Sequence, residues 1–341
     1  MVNLKGRSLL TLTDFSQEEI RYLLDLAMEL KQKRRNGIKG GLLSGKNILL
    51  IFDKTSTRTR CSFEVAAMEE GAAVTTIEPG VSQFGKKESV EDSAKVFGRY
   101  YDGIQYRGAE QATVNTLAEY SGVPVWNGLT NADHPTQILA DIMTIEENIA
   151  KPLKDIKVVF CGDTRNNMSY AWMYGCAKMG MKFYAYGPNE LAPDAEILAK
   201  AKQAGAETGA VIEFSSNDSC LKGADVIYTD VWASMGEEDK IPERVKLLTP
   251  FKVTAELMAK TENPKVVFLH CLPSFHDFKT EIAAKQRELG YDIREVSNDV
   301  FNGRNSLVFD EAENRLHTIK AVMVATLTMH NAQCTMHNFG E

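Results

Sequence analysis

Short apolar segments alternate with helix-like segments along most of the chain. Runs such as residues 48–52 are continuously apolar and have strand length, which predicts strands buried on both faces. Between them, apolar residues recur with helical spacing, as in the helices predicted over 58–70 and 134–148. This alternation is typical of a parallel sheet covered by helices on both faces. The fold class predicted is therefore α/β with doubly wound parallel sheets.

Two such series follow one another, and the segment around Pro152 interrupts the rhythm between them. With 341 residues the chain exceeds what one core usually holds. We therefore predict two domains, residues 1–150 and residues 151–315. A last helix, predicted over about 316–333, is expected to pack back on the first domain.

The net charge of the chain argues against nucleic acid as a partner. Lys and Arg number 39 against 46 Asp and Glu, so the formal charge is −7, and a basic surface excess for nucleic acid is missing. No apolar run approaches the roughly 20 residues that cross a bilayer. The first 15 residues contain no signal-peptide pattern, so we expect a cytoplasmic protein without nucleic-acid or membrane partners.

The six cysteines are scattered, as expected of free thiols in a reducing compartment. Five of them are interpreted as small buried hydrophobic residues, and Cys271 is the exception because it follows a strand in a polar turn. No CxxC, HExxH or clustered carboxylate pattern indicates a metal, so none is expected.

The turn after the first strand carries hydroxyl and guanidinium groups at a predicted helix start. The segment Ser56-Thr57-Arg58-Thr59-Arg60 combines three hydroxyls with two arginines. Helix capping alone would explain one hydroxyl, whereas the whole set suits a phosphate group. The Walker pattern is absent, so this is not a P-loop.

Two further strand ends in the first half carry candidate groups. Arg107 follows the third predicted strand, and His134 begins a helix with Gln137 one turn later on the same face. A single arginine is usually solvated and a single histidine is more often structural. Their place beyond strand ends, where ligands bind in doubly wound folds, makes them candidates.

The second half offers acceptors for an amine. Asp230 ends a strand and is followed by a loop containing Ser234-Met235-Gly236, while His270-Cys271-Leu272-Pro273 ends another strand. A carboxylate there suits a cationic amine, although a helix cap is the simpler alternative. Adjacent Cys and His also suggest a thiol hydrolase, but no separate base is marked. The missing GxGxxG pattern argues against an NAD-linked dehydrogenase.

The motifs STRTR at 56–60, HPTQ at 134–137 and HCLP at 270–273 together resemble those of the aspartate/ornithine carbamoyltransferase family, in order and spacing, over nearly the whole chain. The Ser-Met-Gly loop at 234–236 is similar to that of the ornithine branch. The resemblance implies a carbamoyl-phosphate-binding first domain, an ornithine-binding second domain, and an active site in the cleft between them.

The resemblance also implies residue roles. The catalytic residues would be Arg58, Arg107, His134 and Cys271. Carbamoyl phosphate would be bound by Ser56, Thr57, Arg58, Thr59, Gln83, Arg107, His134, Gln137, Cys271, Leu272 and Arg315. Ornithine would be bound by Asn167, Asp230, Ser234 and Met235.

The implied reaction transfers the carbamoyl group of carbamoyl phosphate to the side-chain amine of L-ornithine, giving L-citrulline and phosphate, without cofactor. The implied assembly is a homotrimer, or a multiple of trimers, in which Gln83 reaches a neighbouring site. A role in arginine biosynthesis is expected, although the motifs fit the reverse direction equally. The alternatives are a carbamoyltransferase acting on putrescine or an acylated ornithine, and a noncatalytic anion-binding module.

Overall fold

The computed structural model describes residues 2–233 and 236–329. The chain divides into two compact units, unit 1 from Met1–Met143 with Glu313–Glu341 and unit 2 from Thr144–Ala312. The C-terminal helix thus contributes its later part to unit 1. The chain passes between the units within two helices, so neither crossing is an extended linker.

Unit 1 is built on a four-stranded parallel sheet with strand order β2-β1-β3-β4. Its strands are β1 (Asn47–Phe52), β2 (Ala73–Ile77), β3 (Gly103–Arg107) and β4 (Val125–Leu129). Its helices are α1 (Gln17–Arg35), α2 (Thr57–Glu69), α3 (Val90–Tyr100), α4 (Gln111–Ser121) and the start of α5 (Pro135–Asn148).

Unit 2 is built on a five-stranded parallel sheet with strand order β7-β6-β5-β8-β9. Its strands are β5 (Lys157–Cys161), β6 (Lys182–Tyr186), β7 (Val211–Ser215), β8 (Val226–Thr229) and β9 (Val267–Leu269). Its helices are α6 (Asn167–Met179), α7 (Ala195–Thr208), α8 (Ile241–Leu248), α9 (Ala255–Ala259), α10 (Glu281–Glu288), α11 (Asn298–Phe301) and the start of α12 (Val308–Leu327). The predicted fold class, two parallel-sheet α/β domains, is confirmed. Among the residues described, no helix is both long and apolar enough to span a membrane.

Local signals explain the elements that carry the site. The central strand β1 is buried along five of its six residues, as its apolar run predicts. Ser16 and Glu19 form the capping box that begins α1. The last helix begins at Val308, earlier than predicted, and its described part ends at Leu327. The tail from residue 330 lies outside the described residues.

Strand β4 runs as far as Leu129, and within it the Asn127 side chain donates to the Leu10 carbonyl at 2.9 Å, which satisfies this buried amide inside the fold. The expectation for the cysteines is wrong in one position. Among the five cysteines expected to be buried, Cys61 is exposed on α2, whereas Cys161, Cys176 and Cys220 are buried as expected. Cys334 lies outside the described residues.

A buried carboxyl group lies in the turn between β4 and α5. Asp133 is 3% exposed, and its Oδ1 accepts the backbone N–H of His134 at 2.7 Å. Burial raises the pKa of Asp133 to about 7, against the opposing effect of its hydrogen bonds. The folded protein therefore holds a proton on this carboxyl at pH values where the unfolded chain has lost it.

This shift predicts how stability depends on pH. A folded-state pKa raised above the unfolded value of about 3.9 means that the free energy of unfolding falls as pH rises from about 4 to 7, by up to about 4 kcal/mol for this group. Asp133→Asn keeps the acceptor for His134 and removes the charge. We expect the variant to gain stability over the native protein across this pH window, measured by urea denaturation. A difference that stays constant between pH 5 and 8 would contradict the assignment.

Candidate active site

The turn between β1 and α2 presents the predicted phosphate-binding residues at a helix N-terminus. Ser56 is the N-cap, and its hydroxyl accepts the backbone N–H of Thr59 at 3.3 Å. Thr57 and Arg58 occupy the first turn, where backbone N–H groups lack partners within the helix and the helix dipole is positive. The turn is therefore shaped for an anion.

Arg107 lies at the carboxyl end of β3, the strand next to β1 in the sheet. Its Nη1 donates to the Thr59 hydroxyl at 3.2 Å and to the Gly128 carbonyl at 3.4 Å. Gly128 leaves room for the buried Gln105 side chain, since a Cβ there would lie 2.2 Å from the Gln105 amide nitrogen. Two parallel strands and α2 thus converge on one guanidinium.

Arg315 of α12 joins the same group of side chains. It is 3% exposed and donates to the Thr59 hydroxyl at 3.2 Å, to the Thr136 hydroxyl at 3.3 Å and to the Gln137 side-chain oxygen. Its Nη1 also lies 3.4 Å from His134 Nε2. We call Thr59, Arg107, His134, Gln137 and Arg315 the unit 1 cluster. All five are predicted site residues, and the structure brings them together.

The imidazole of His134 is held neutral. Burial, and after it the positive charges of Arg315, Arg107 and Arg58, keep the pKa of His134 well below its usual range. Because a guanidinium only donates, Nε2 accepts from Arg315 and the proton resides on Nδ1, 3.4 Å from the Thr136 hydroxyl. A neutral imidazole can polarise a carbonyl group, and it adds no further positive charge to a site that already holds several guanidinium groups.

The remaining predicted residues of unit 1 lie at its surface. Gln83 is exposed in the segment between β2 and α3, as is Lys86 nearby. Thr57 is exposed and Arg58 partly buried at the start of α2.

In unit 2, Asp230 follows β8 and collects several hydrogen bonds. Its Oδ1 accepts the backbone N–H of Val231 at 2.8 Å and the Cys271 thiol at 3.3 Å, and its Oδ2 accepts from the Asn166 amide at 3.0 Å. We call Asn166, Asp230, His270 and Cys271 the unit 2 cluster. The thiol acts as donor here, whereas a nucleophilic cysteine requires the thiolate.

The turn after β9 is fixed by a buried histidine and carboxylate. His270 Nδ1 accepts the backbone N–H of Leu272 at 2.9 Å, and its Nε2 lies 3.1 Å from Glu295. Leu272 has φ of +57°, in the left-handed region that a branched residue rarely adopts. The Leu272–Pro273 peptide bond is cis. The hydrogen bond that the Leu272 N–H donates to His270 stabilises the left-handed backbone of Leu272 and thereby orients this turn.

Three potential metal ligands lie together in this cluster. Ligand atoms of Asp230, His270 and Cys271 are within 4.8 Å of one another. Both ring nitrogens of His270 are engaged, one by the Leu272 N–H and the other by Glu295. A metal would have to displace one of these bonds, so the donor set fits an organic amine better than a resident ion.

Some residues of these clusters were not predicted from the sequence, and two predicted residues lie outside the part of the chain that the structure describes. Asn166, which received no role in the sequence analysis, donates to Asp230, and the predicted Asn167 follows it at the start of α6. Thr136 and His270 belong to quoted motifs but received no role of their own, and their contacts above supply one. Ser234 and Met235 lie outside the described residues.

Family models match both halves of the chain. Residues 7–147 match the aspartate/ornithine carbamoyltransferase carbamoyl-P binding domain, which contains most of the unit 1 cluster. Residues 154–326 match the Asp/Orn binding domain of the same family, which contains the unit 2 cluster and Arg315.

Individual proteins agree with these matches. The chain is 65% identical over 328 residues to a catabolic ornithine carbamoyltransferase of Clostridium perfringens, covering 95% of this chain and 98% of the relative. It is 53% identical to ornithine carbamoyltransferase 1, catabolic, of Streptococcus agalactiae, covering 96% and 99%. The structure of ornithine carbamoyltransferase from Pyrococcus furiosus is similar with a TM-score of 0.87 and 39% identity, covering 96% and 99%. The chain belongs to the aspartate/ornithine carbamoyltransferase family.

Proposed function

We propose that this enzyme transfers a carbamoyl group between carbamoyl phosphate and the side-chain amine of L-ornithine. The observation that carries the proposal is the unit 1 cluster, in which a neutral imidazole and two guanidiniums converge beside the N-terminus of α2. The names of the relatives, all ornithine carbamoyltransferases, support ornithine as the acceptor.

The start of α2 and the unit 1 cluster together suit the two ends of carbamoyl phosphate. Ser56, Thr57 and Arg58, with the backbone N–H groups of α2, would bind the phosphate and stabilise the charge it gains as the C–O bond breaks. Arg107 and His134 would polarise the carbonyl as negative charge develops on its oxygen, and Gln137 would orient the carbamoyl amide.

The unit 2 cluster suits an amino acid with a distal amine. Asp230 would accept the α-ammonium, with Asn167, Ser234 and Met235 completing the ornithine site, while Cys271 and Leu272 would face the carbamoyl group. The distal amine must lose its proton before attack, since an alkylammonium has a pKa near 10.4. We place the reaction where both substrates meet, so that holding them together supplies much of the rate.

The direction of the reaction in the cell belongs to this proposal. The relatives from C. perfringens and S. agalactiae are named catabolic, which does not support the expected role in arginine biosynthesis. We therefore favour phosphorolysis of citrulline, giving ornithine and carbamoyl phosphate, as the physiological direction.

Assembly and location are extensions of the same proposal. A homotrimer, alone or in multiples, would place Gln83 at a neighbouring subunit's site, and its exposure leaves it available for that contact. The five cysteines that the structure describes are all free thiols, which supports a cytoplasmic location.

Acceptor specificity tests the function directly. Citrulline formation should exceed carbamoylation of putrescine, N-acetylornithine and aspartate by at least about 100-fold in kcat/KM, because those amines leave polar groups of the unit 2 cluster without partners. The reverse assay with citrulline and phosphate tests the direction. Equal turnover of putrescine would favour the related-amine alternative, and phosphate binding without any turnover would indicate an anion-binding module.

Replacing Arg58 tests the phosphate assignment. Arg58→Ala should lower kcat by roughly 100- to 5,000-fold, or about 3–5 kcal/mol, because charge moves onto the phosphate in the transition state. Arg34→Ala, which removes a surface guanidinium paired with Glu69, is the control and should retain activity. Near-normal turnover by a folded Arg58→Ala protein would contradict the assignment.

Mixing two inactive variants tests the shared site. One subunit carries Arg58→Ala, and the other carries Gln83→Ala with Lys86→Ala. In hybrid trimers some sites would combine both lesions and others would be intact, so co-refolding should restore part of the activity. Hybrids that form, as shown by native mass spectrometry, but stay inactive would show that each subunit holds a complete site.

A further inference from the structure

Consecutive residues of α12 are anchored to different parts of unit 1 where the helix enters it. Glu313 lies 3.8 Å from the Arg35 guanidinium, and the Asn314 side-chain oxygen accepts from the Lys31 ammonium at 2.7 Å. The next residue, Arg315, donates into the unit 1 cluster. Asn314 therefore connects α1 with the position immediately before a site residue.

The burial of Lys31 sets it apart from the other cations of α1. Lys33, two residues later, is 40% exposed and pairs with Glu29 of the same helix. Lys31 is instead 3% exposed, and Asn314 is fully buried. Removing an ammonium from water costs several kcal/mol unless it gains strong partners, and a methionine would fill similar space without that cost. The bond to Asn314 therefore helps to offset the cost of burying this charge.

The contact of Lys31 acts on Arg315 through the rigidity of α12. Adjacent residues of an α-helix project about 100° apart, so a rotation or slide of the helix that lengthens the Asn314 contact also displaces Arg315. The bonds from Arg315 to Thr59 and Thr136, at 3.2 and 3.3 Å, are close to the upper limit for hydrogen bonds. A displacement below 1 Å is enough to break them.

We propose that Lys31 is a positioning residue for the carbamoyl phosphate site, acting through Asn314 on Arg315. Through its bond to Asn314, Lys31 holds the helix that presents Arg315 to the unit 1 cluster. The Coulombic influence of Lys31 on Glu313 and His317 shows that its charge is felt along the same stretch of α12. This inference rests on the proposed function, because that function identifies carbamoyl phosphate as the ligand of the site.

Variants on both sides of the contact test this role. Lys31→Met removes the ammonium and keeps the length of the side chain, and Asn314→Ala removes the acceptor. Because a misplaced positioning group costs up to about 100-fold, we expect each to raise the Kd of inorganic phosphate, measured by calorimetry, and the KM of carbamoyl phosphate about tenfold. The KM of ornithine should change less than about twofold. In phosphate affinity, the double variant should be no worse than the poorer single variant, because each change removes the same Lys31–Asn314 bond.

Lys33→Met is the matched control, since its ion pair with Glu29 stays within α1. It should leave phosphate affinity and both KM values unchanged. A lower melting temperature in Lys31→Met or Asn314→Ala with unchanged phosphate affinity would overturn the proposal and leave a structural role only. If one of these two variants does not fold, the phosphate affinity of the other is enough to test the proposal. If the proposed function is wrong, the native protein will make no citrulline. Calorimetry with inorganic phosphate would still test the role of Lys31, because it does not depend on turnover.

Discussion

The buried guanidinium of Arg315 is the interaction on which the unit 1 site depends. It bonds the hydroxyls of Thr59 and Thr136 and the amide of Gln137, and it touches the ring of His134. These partners come from α2 and from the start of α5, whereas Arg315 comes from the last helix of the chain. One side chain thus joins segments that the sequence separates by up to 256 positions.

The guanidinium groups around His134 give the unit 1 site a positive potential in the absence of a bound anion. Arg58, Arg107 and Arg315 all raise the local positive potential, and burial strengthens their effect on His134, which stays neutral. A dianionic phosphate compensates these charges, and a neutral imidazole leaves room for the carbonyl oxygen to gain charge. In unit 2, Asp230 accepts hydrogen bonds from three donors, the Asn166 amide, the Val231 N–H and the Cys271 thiol.

The sequence predicts those features of the fold that depend on interactions between residues close together in the chain. Buried parallel strands, the capping box of α1 and the polar turns at strand ends follow from periodicity and helix-end chemistry, and those turns hold the candidate site residues. Periodicity could not show that residues 127–129 continue a strand, because the amide of Asn127 is satisfied by a residue 117 positions away. It could not show that Lys31 is buried, since its partner lies 283 positions away. The roles of Asn166 and Thr136 likewise come from tertiary contacts.

Nitrogen NMR of the histidine side chains, with His134 identified by loss of its signals in His134→Gln, tests the electrostatic basis of the site most directly. We expect the His134 ring to remain neutral, with its proton on one nitrogen, from pH 6 to 9, because burial and three guanidiniums oppose the imidazolium. We expect carbamoyl phosphate to shift these signals and ornithine alone to leave them in place. An imidazole that titrates near its ordinary pKa of about 6.5, or that does not respond to carbamoyl phosphate, would contradict this account of the site.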